Sequence, residues 1–191
     1  MTKQPVGILA LQGDFELHAT ALVRRSEAYL YVRRPEELAA CRGLIIPGGE
    51  STTMTRLMDK VGLRQPILDF AAAGKPILGT CAGLIMLAAR VDEDERRHGV
   101  HPLGLLDVLV RRNGYGRQVD SFVDEVVVAG RAEPVPGVFI RAPRILEVGP
   151  GVEVVATWRG ETVGVRQGNV TGLAFHPEAG EPEAILPIHF I

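Results

Sequence analysis

The first half of the chain is an alternation of short apolar runs and helical stretches, and this restricts the fold more than any other feature. The runs are VGILALQG (Val6 to Gly13), AYLYVRRP, GLIIPGGES and KPILGT, each closed by a turn containing glycine or proline. After the first, Asp14 is placed to cap a helix carrying Phe15, Ala19 and Leu22 on one face. The spacing predicts further helices over Thr52 to Lys60 and Leu63 to Ala73, with Gly74 as a stop, and a helix continuing through AGLIMLAARV. Strands that are apolar throughout and separated by helices bury both faces only in a parallel sheet covered on each side. The fold class is therefore α/β with a mostly parallel central sheet.

The second half changes character. DVLVRRN, SFVDEVVV, GVFIRAP, VEVVATW, TVGVRQG and VTGLAFHP read as strands joined by short turns, as antiparallel additions and a return to the main sheet. The charged segment VDEDERRHGVHP reads as an exposed loop. No linker divides the chain, and 191 residues fit a single domain.

The charge pattern excludes some partners. Net charge is −2 with Lys and Arg scattered, so no basic patch offers itself to nucleic acid or an anionic membrane. The longest uncharged run, Pro76 to Ala89, is too short to span a bilayer, and the N-terminus lacks the pattern of a secretory signal; a cytoplasmic location follows. The two cysteines, Cys41 and Cys81, form neither a CxxC pair nor a metal-ligand spacing with histidine, so no metal or other cofactor is called for.

Alone, Cys81 reads as a buried small hydrophobe. Its position argues otherwise. It follows a buried strand, opens a helix and sits in Gly79-Thr80-Cys81-Ala82-Gly83, the Gly-x-nucleophile-x-Gly spacing of a nucleophile elbow. Ligands of open α/β sheets bind beyond the carboxyl ends of the strands. The sharp turn needs small neighbours, the helix N-terminus favours a thiolate, and the Ala82 amide points where an oxyanion would form. A nucleophilic cysteine also needs a base. Among the five histidines, His98 and His101 lie in the charged loop, His189 lies near the chain end, and His18 is expected on the surface of the first helix. His176 closes the apolar strand VTGLAF within FHPE, and Pro177 favours an extended His176, so that Glu178 would project to the same side and hold the imidazole. The turn Pro47 to Ser51 ends another buried strand, and its paired glycines can offer further oxyanion donors, or simply lead into a helix capped by Ser51 or Thr52. Cys41 has no elbow and reads as structural.

PGGES, GTCAGL and FHPE occur in the order of the triad (class I) glutamine amidotransferases. LALQGDFELH, RRPEEL, PGGESTTM, GKPILGTCAGLIMLA, RRNGYGRQVDSF and GVFIRAPRI more closely resemble the glutaminase subunit of pyridoxal 5′-phosphate synthase, over Val6 to Glu178. The resemblance implies a three-layer, flavodoxin-like fold and hydrolysis of L-glutamine. The ammonia would pass to a separate synthase (lyase) subunit in a large hetero-oligomer, which makes pyridoxal 5′-phosphate from a pentose and a triose phosphate. It implies Cys81 as nucleophile with His176 and Glu178 completing the triad. It further implies Gly49, Glu50, Ser51, Arg112, Ile140 and Arg141 as glutamine-contacting positions, and Gly49 with Ala82 at the oxyanion. Either arginine could fork onto the glutamine α-carboxylate, or form an ordinary surface ion pair. Departures from the family are the tail EPEAILPIHFI, where a longer C-terminal helix is usual, and RRSEAYLYV, where a glycine is common. Other readings are an amidotransferase for another synthase, a γ-glutamyl hydrolase, or a non-catalytic sensor that keeps a reactive elbow cysteine.

Overall fold

The alternation appears as β1 (Val6–Leu9), α1 (Phe15–Arg24), β2 (Tyr29–Val32), α2 (Pro35–Ala39), β3 (Gly43–Ile46), α3 (Ser51–Lys60), α4 (Arg64–Ala72), β4 (Ile77–Thr80) and α5 (Ala82–Leu87) in the computed structural model. It describes residues 4–112, 114 and 121–180. The second half follows as β5 (Ala88–Val91), α6 (Glu93–Arg97), β6 (Leu106–Arg111), β7 (Phe122–Val128), β8 (Val135–Phe139), β9 (Arg144–Val148), β10 (Glu153–Trp158), β11 (Glu161–Gln167), β12 (Val170–Leu173) and a 3₁₀ turn, Pro177–Ala179.

The main sheet has the order β2-β1-β3-β4-β12-β11-β10-β7-β8. It is parallel from β2 to β12 and antiparallel from β12 to β8. The parallel part has the flavodoxin-like order, with β12 as its fifth strand. Every residue of β1, β3, β4 and β12 is buried, as a sheet covered on both faces requires, whereas β2 at the edge is only partly covered. A small second sheet, β5-β6-β9, packs against β11 and β12 and adds Leu106, Val108 and Val110 to the same core. An aromatic cluster of Phe122, Phe139, Trp158 and Phe175, with neighbouring rings 4.7–5.6 Å apart, ties the antiparallel wing to the end of β12.

Three local expectations are corrected. The helix expected through AGLIMLAARV stops at Leu87, because residues 103–105 return to bond the carbonyls of Met86, Leu87 and Ala88, and Ala88–Val91 then pairs with β6. A tertiary strand partner overrides the helical run there. The charged segment expected as a loop holds the helix α6, with an Arg97–Glu93 pair at 3.3 Å across one turn. Asp14 stands at the N-cap of α1 but makes no side-chain capping bond. The departure at RRSEAYLYV is accommodated by Ser26, which adopts φ 57°, the left-handed conformation that glycine takes without a Cβ penalty. Cys41 is fully buried, its Sγ–H donating to the Glu37 carbonyl at 3.2 Å, and burial pushes its thiol pKa up. Most of the GRQVDSF block, His189 and the EPEAILPIHFI tail lie outside the described residues.

Candidate active site

Cys81 sits between β4 and α5 with φ 50° and ψ −107°, a conformation costly for any residue with a Cβ. Its amide is tied to the Leu173 carbonyl of β12 at 2.8 Å. The flanking glycines are required by close approach. A Cβ on Gly83 would stand 2.1 Å from the Ile46 carbonyl oxygen at the end of β3, and one on Gly79 would stand 2.6 Å from the Gly83 backbone. Strand and helix can therefore meet at the elbow only without side chains at these two positions.

The elbow opens into a cleft of about 220 Å³ at the carboxyl ends of the strands. Cys81, Ala82, Gly49, Glu50, Ser51, Arg112, Ile140, Arg141 and His176 all line it. They arrive from the ends of β3, β4, β6, β8 and the segment after β12. Gln12, Gly13, Asp14 and Ile85, which the sequence reasoning passed over, complete the lining. Cys81 is only 8% exposed, so it is core-packed and yet opens to the cleft, its Sγ 3.8 Å from the Ile140 carbonyl oxygen. Gly48, the first of the paired glycines, has a steric role beyond the oxyanion donation expected of the pair. A Cβ there would meet His176 Cε1 at 2.4 Å and Cys81 Cβ at 3.4 Å, so the glycine is the space in which thiol and imidazole meet.

Glu178 lies behind His176, its Oε1 2.8 Å from His176 Nδ1. The expected contact is present, but its backbone is not the extended one expected. His176 leaves β12 with φ −106° and ψ 87°, and Glu178 is reached through the 3₁₀ turn. The His176 amide bonds the Val138 carbonyl at 2.8 Å, fixing the imidazole to β8. An ionised carboxylate only accepts, so Nδ1 carries the proton and Nε2 is left for Cys81.

Burial opposes ionisation of Glu178, but His18 and His176 outweigh it and hold the carboxyl down to about 2. Burial likewise opposes the His176 imidazolium, but Cys81 and Glu178 hold it up to about 10. The signs are opposite. The Glu178 contribution to stability is full above its ordinary value of 4.5 and disappears as pH falls through about 2. That of His176 is full below 6.5 and disappears as pH rises through about 10. In urea unfolding, the stability advantage of the parent over Glu178→Gln should hold between pH 7 and about 5 and shrink from about pH 4.5 to about 2. A constant advantage down to about pH 2 would count against this account.

Glu50 caps α3, accepting from the amides of Thr52 at 3.0 Å and Thr53 at 2.7 Å. Burial opposes ionisation there too, and the bonds from Thr53 and Thr52 outweigh it, holding the carboxyl down to about 2. The same carboxylate lies 3.4 Å from Arg112 Nη1, and the Glu50 amide donates to Gln12 Oε1 at 2.7 Å. The Glu50 side chain thus serves the helix and Arg112 from the rim of the cleft. Arg141 holds φ 45° beside Ile140.

His18 is the clearest correction. It was expected on the surface of α1 and is 1% exposed, its Nε2 3.3 Å from Glu178 Oε1. The signal was in the sequence. His18 falls at the i+3 position of the Phe15, Ala19, Leu22 face and so points inward with them. Among the described residues, no group of three His, Cys, Asp or Glu side chains is arranged to hold a metal ion.

Comparison with known proteins identifies the class. The fold is that of the class I glutamine amidotransferases. A solved glutamine amidotransferase is 42% identical with a TM-score of 0.85, covering 91% of this chain and 90% of that one. PurLQS from Thermotoga maritima shares the fold at 19% identity, with a TM-score of 0.68 over 92% of this chain and 89% of that one. More narrowly, the chain belongs to the SNO glutamine amidotransferase family, whose model matches residues 8–191. It is 46% identical over 181 residues to the pyridoxal 5′-phosphate synthase subunit PdxT of Geobacillus kaustophilus, covering 95% of this chain and 90% of that one. Its identity to the PdxT of Corynebacterium jeikeium is 48%, covering 94% and 92%.

Proposed function

We propose that this chain is the glutaminase subunit of a pyridoxal 5′-phosphate synthase. It hydrolyses L-glutamine to L-glutamate and ammonia and supplies the ammonia to a synthase subunit that builds pyridoxal 5′-phosphate from pentose and triose phosphates. Family membership and the PdxT relatives support the reaction and the partner. The observation that carries the site is convergence. Residues from five separate stretches of chain, marked by PGGES, GTCAGL, RRNGYG, FIRAP and FHP, line one cleft around Cys81.

The geometry supports the following chemistry. The Cys81 thiolate attacks the side-chain amide carbon of glutamine, and amides at Gly49 and Ala82 receive the oxyanion. Ala82 is the first residue of α5, where a backbone N–H has no partner within the helix. The intermediate collapses, the C–N bond breaks, and His176 gives its proton to the departing ammonia, leaving a glutamyl thioester. His176 then takes a proton from water, the hydroxide cleaves the thioester, and glutamate leaves with the thiol restored. Glu178 keeps the imidazole oriented through both steps. Gly49, Glu50, Ser51, Ile140 and the arginines 112 and 141 form the glutamine-binding surround, with an arginine on the α-carboxylate.

Ammonia is mostly protonated at neutral pH and then not nucleophilic, so a sealed route to the synthase subunit in a large hetero-oligomer is the physical reason for a complex. No helix among the described residues is long and apolar enough to cross a membrane. The reading places the chain in the cytoplasm as one amidotransferase domain. Ammonia release from glutamine, measured with and without the synthase subunit, tests it. Release that rises on adding the partner is expected, and equal rates in both arms would refute the coupling. No release in either arm would refute the reaction.

A further inference from the structure

Glu178 Oε1 is the meeting point of three side chains, of which the mechanism above uses one. Besides His176 Nδ1, it faces His18 Nε2 at 3.3 Å and the Thr80 hydroxyl at 3.5 Å. His18 and Thr80 are themselves bonded, Nε2 to Oγ1 at 3.2 Å. All three residues are almost completely buried. The elements differ: His18 comes from α1, Thr80 is the last residue of β4, next to Cys81, and Glu178 lies on the 3₁₀ turn. His18 Nδ1 and Glu178 Oε2 are buried with no hydrogen-bond partner among the described residues. A histidine kept in such a place leaves a polar atom unsatisfied, a cost that a leucine would not incur. The cost is offset if Nε2–H is needed where it points.

We infer that His18, with Thr80, is a positioning residue for the triad: the pair packs against the same Glu178 oxygen that His176 engages, and so fixes the carboxylate and the imidazole that serves Cys81. The Nε2–H donates to Thr80 Oγ1, which turns the threonine hydroxyl proton toward Glu178 Oε1, while the imidazole edge itself stands against the same oxygen. A carboxylate held by one hydrogen bond can swing about its side-chain torsions. Held by further partners as well, it presents Oε1 to Nδ1 in one orientation. His18 touches neither substrate nor thiol, so its effect passes through Glu178 and His176.

The inference rests on the proposed reaction, and the test separates the two. Glutamine places its amide nitrogen close to where histidine places Nε2, so His18→Gln retains the donor and His18→Leu removes it. In the complex with the synthase subunit, His18→Leu should lower kcat by about 10–100-fold, the worth of a hydrogen bond to a charged group, with KM unchanged. His18→Gln should recover most of kcat. Thr80→Val and Thr80→Ser should repeat the pattern, and they carry the test if His18→Leu fails to fold. Parental kcat in His18→Leu, or equal losses in the Leu and Gln variants, would overturn the inference. The second readout is the Nδ1 proton resonance of His176, observed by NMR in the isolated chain. It should shift in His18→Leu and return in His18→Gln, and an unchanged resonance in His18→Leu overturns the inference. If the parent complex releases no ammonia, the functional reading fails, and this resonance still decides the role of His18.

Discussion

Cys81→Ala should abolish ammonia release from glutamine, by at least ~10⁴-fold, while leaving the fold and its thermal midpoint within a few degrees of the parent. The reasoning separates chemistry from packing. The sulfur is the only heavy atom lost, its contact with the Ile140 carbonyl oxygen at 3.8 Å is weak, and the interaction it gives up with His176 belongs to the chemistry. The strained backbone at φ 50° remains equally strained with alanine. The elbow is held by bonds that alanine keeps: the amide of residue 81 to Leu173, and its carbonyl to the amides of Leu84 and Ile85. Alanine cannot form the thioester, and no other cysteine lines the cleft. Glutaminase assay with circular dichroism checks both halves. Parental turnover in the variant would remove Cys81 from the mechanism, and a glutamine-analogue electrophile should label the parent at Cys81 and leave the variant unlabelled.

Gly83→Ala should do the opposite, damaging fold and activity together. The added Cβ would stand 2.1 Å from the Ile46 carbonyl oxygen and 2.9 Å from its carbon. These are backbone atoms of a central strand and cannot rotate aside, so α5 must move away from β3. Overpacking of this kind costs about 3 kcal/mol. In a chain of this size that is a fall in thermal midpoint of about 6–12 °C. The same displacement carries Cys81 away from His176 and Gly49, and a misplacement of about 1 Å can cost ~10² in rate. A variant with the parental midpoint and parental hydrolysis would show that α5 tolerates the methyl group, and that the second glycine of the elbow is dispensable.

The two substitutions also mark what the sequence discloses. Gly79 and Gly83 were legible because an elbow imposes its requirement locally, at fixed spacing within one turn. The same holds for the strands: β1, β3 and β4 are short, wholly apolar and bounded by turn residues, and their burial on both faces follows from composition. His176 and Glu178 were legible as a pair because only Pro177 separates them, although the turn that joins them is 3₁₀ rather than extended. By contrast, the break at Leu87 depends on residues 103–105 returning to it, and no local pattern announces that return. β9 carries no distinct signal either. It forms because Arg144–Val148 finds a free edge on β6.

Within the site the division is sharper. The sequence by itself determined which residue types carry the chemistry and the local shape that exposes them: a cysteine on a glycine elbow, a histidine closing a buried strand, and paired glycines after β3. Only the tertiary structure decided their company. Gln12 on the Glu50 amide, Gly48 as the space between Cys81 and His176, and His18 with Thr80 against Glu178 all join residues far apart in the chain. Spacing and periodicity report what a residue does to its own strand or helix. Contacts at the carboxyl ends of a parallel sheet are set by strand order, and the order β1-β3-β4-β12 brings α1, the elbow and the last strand to one place.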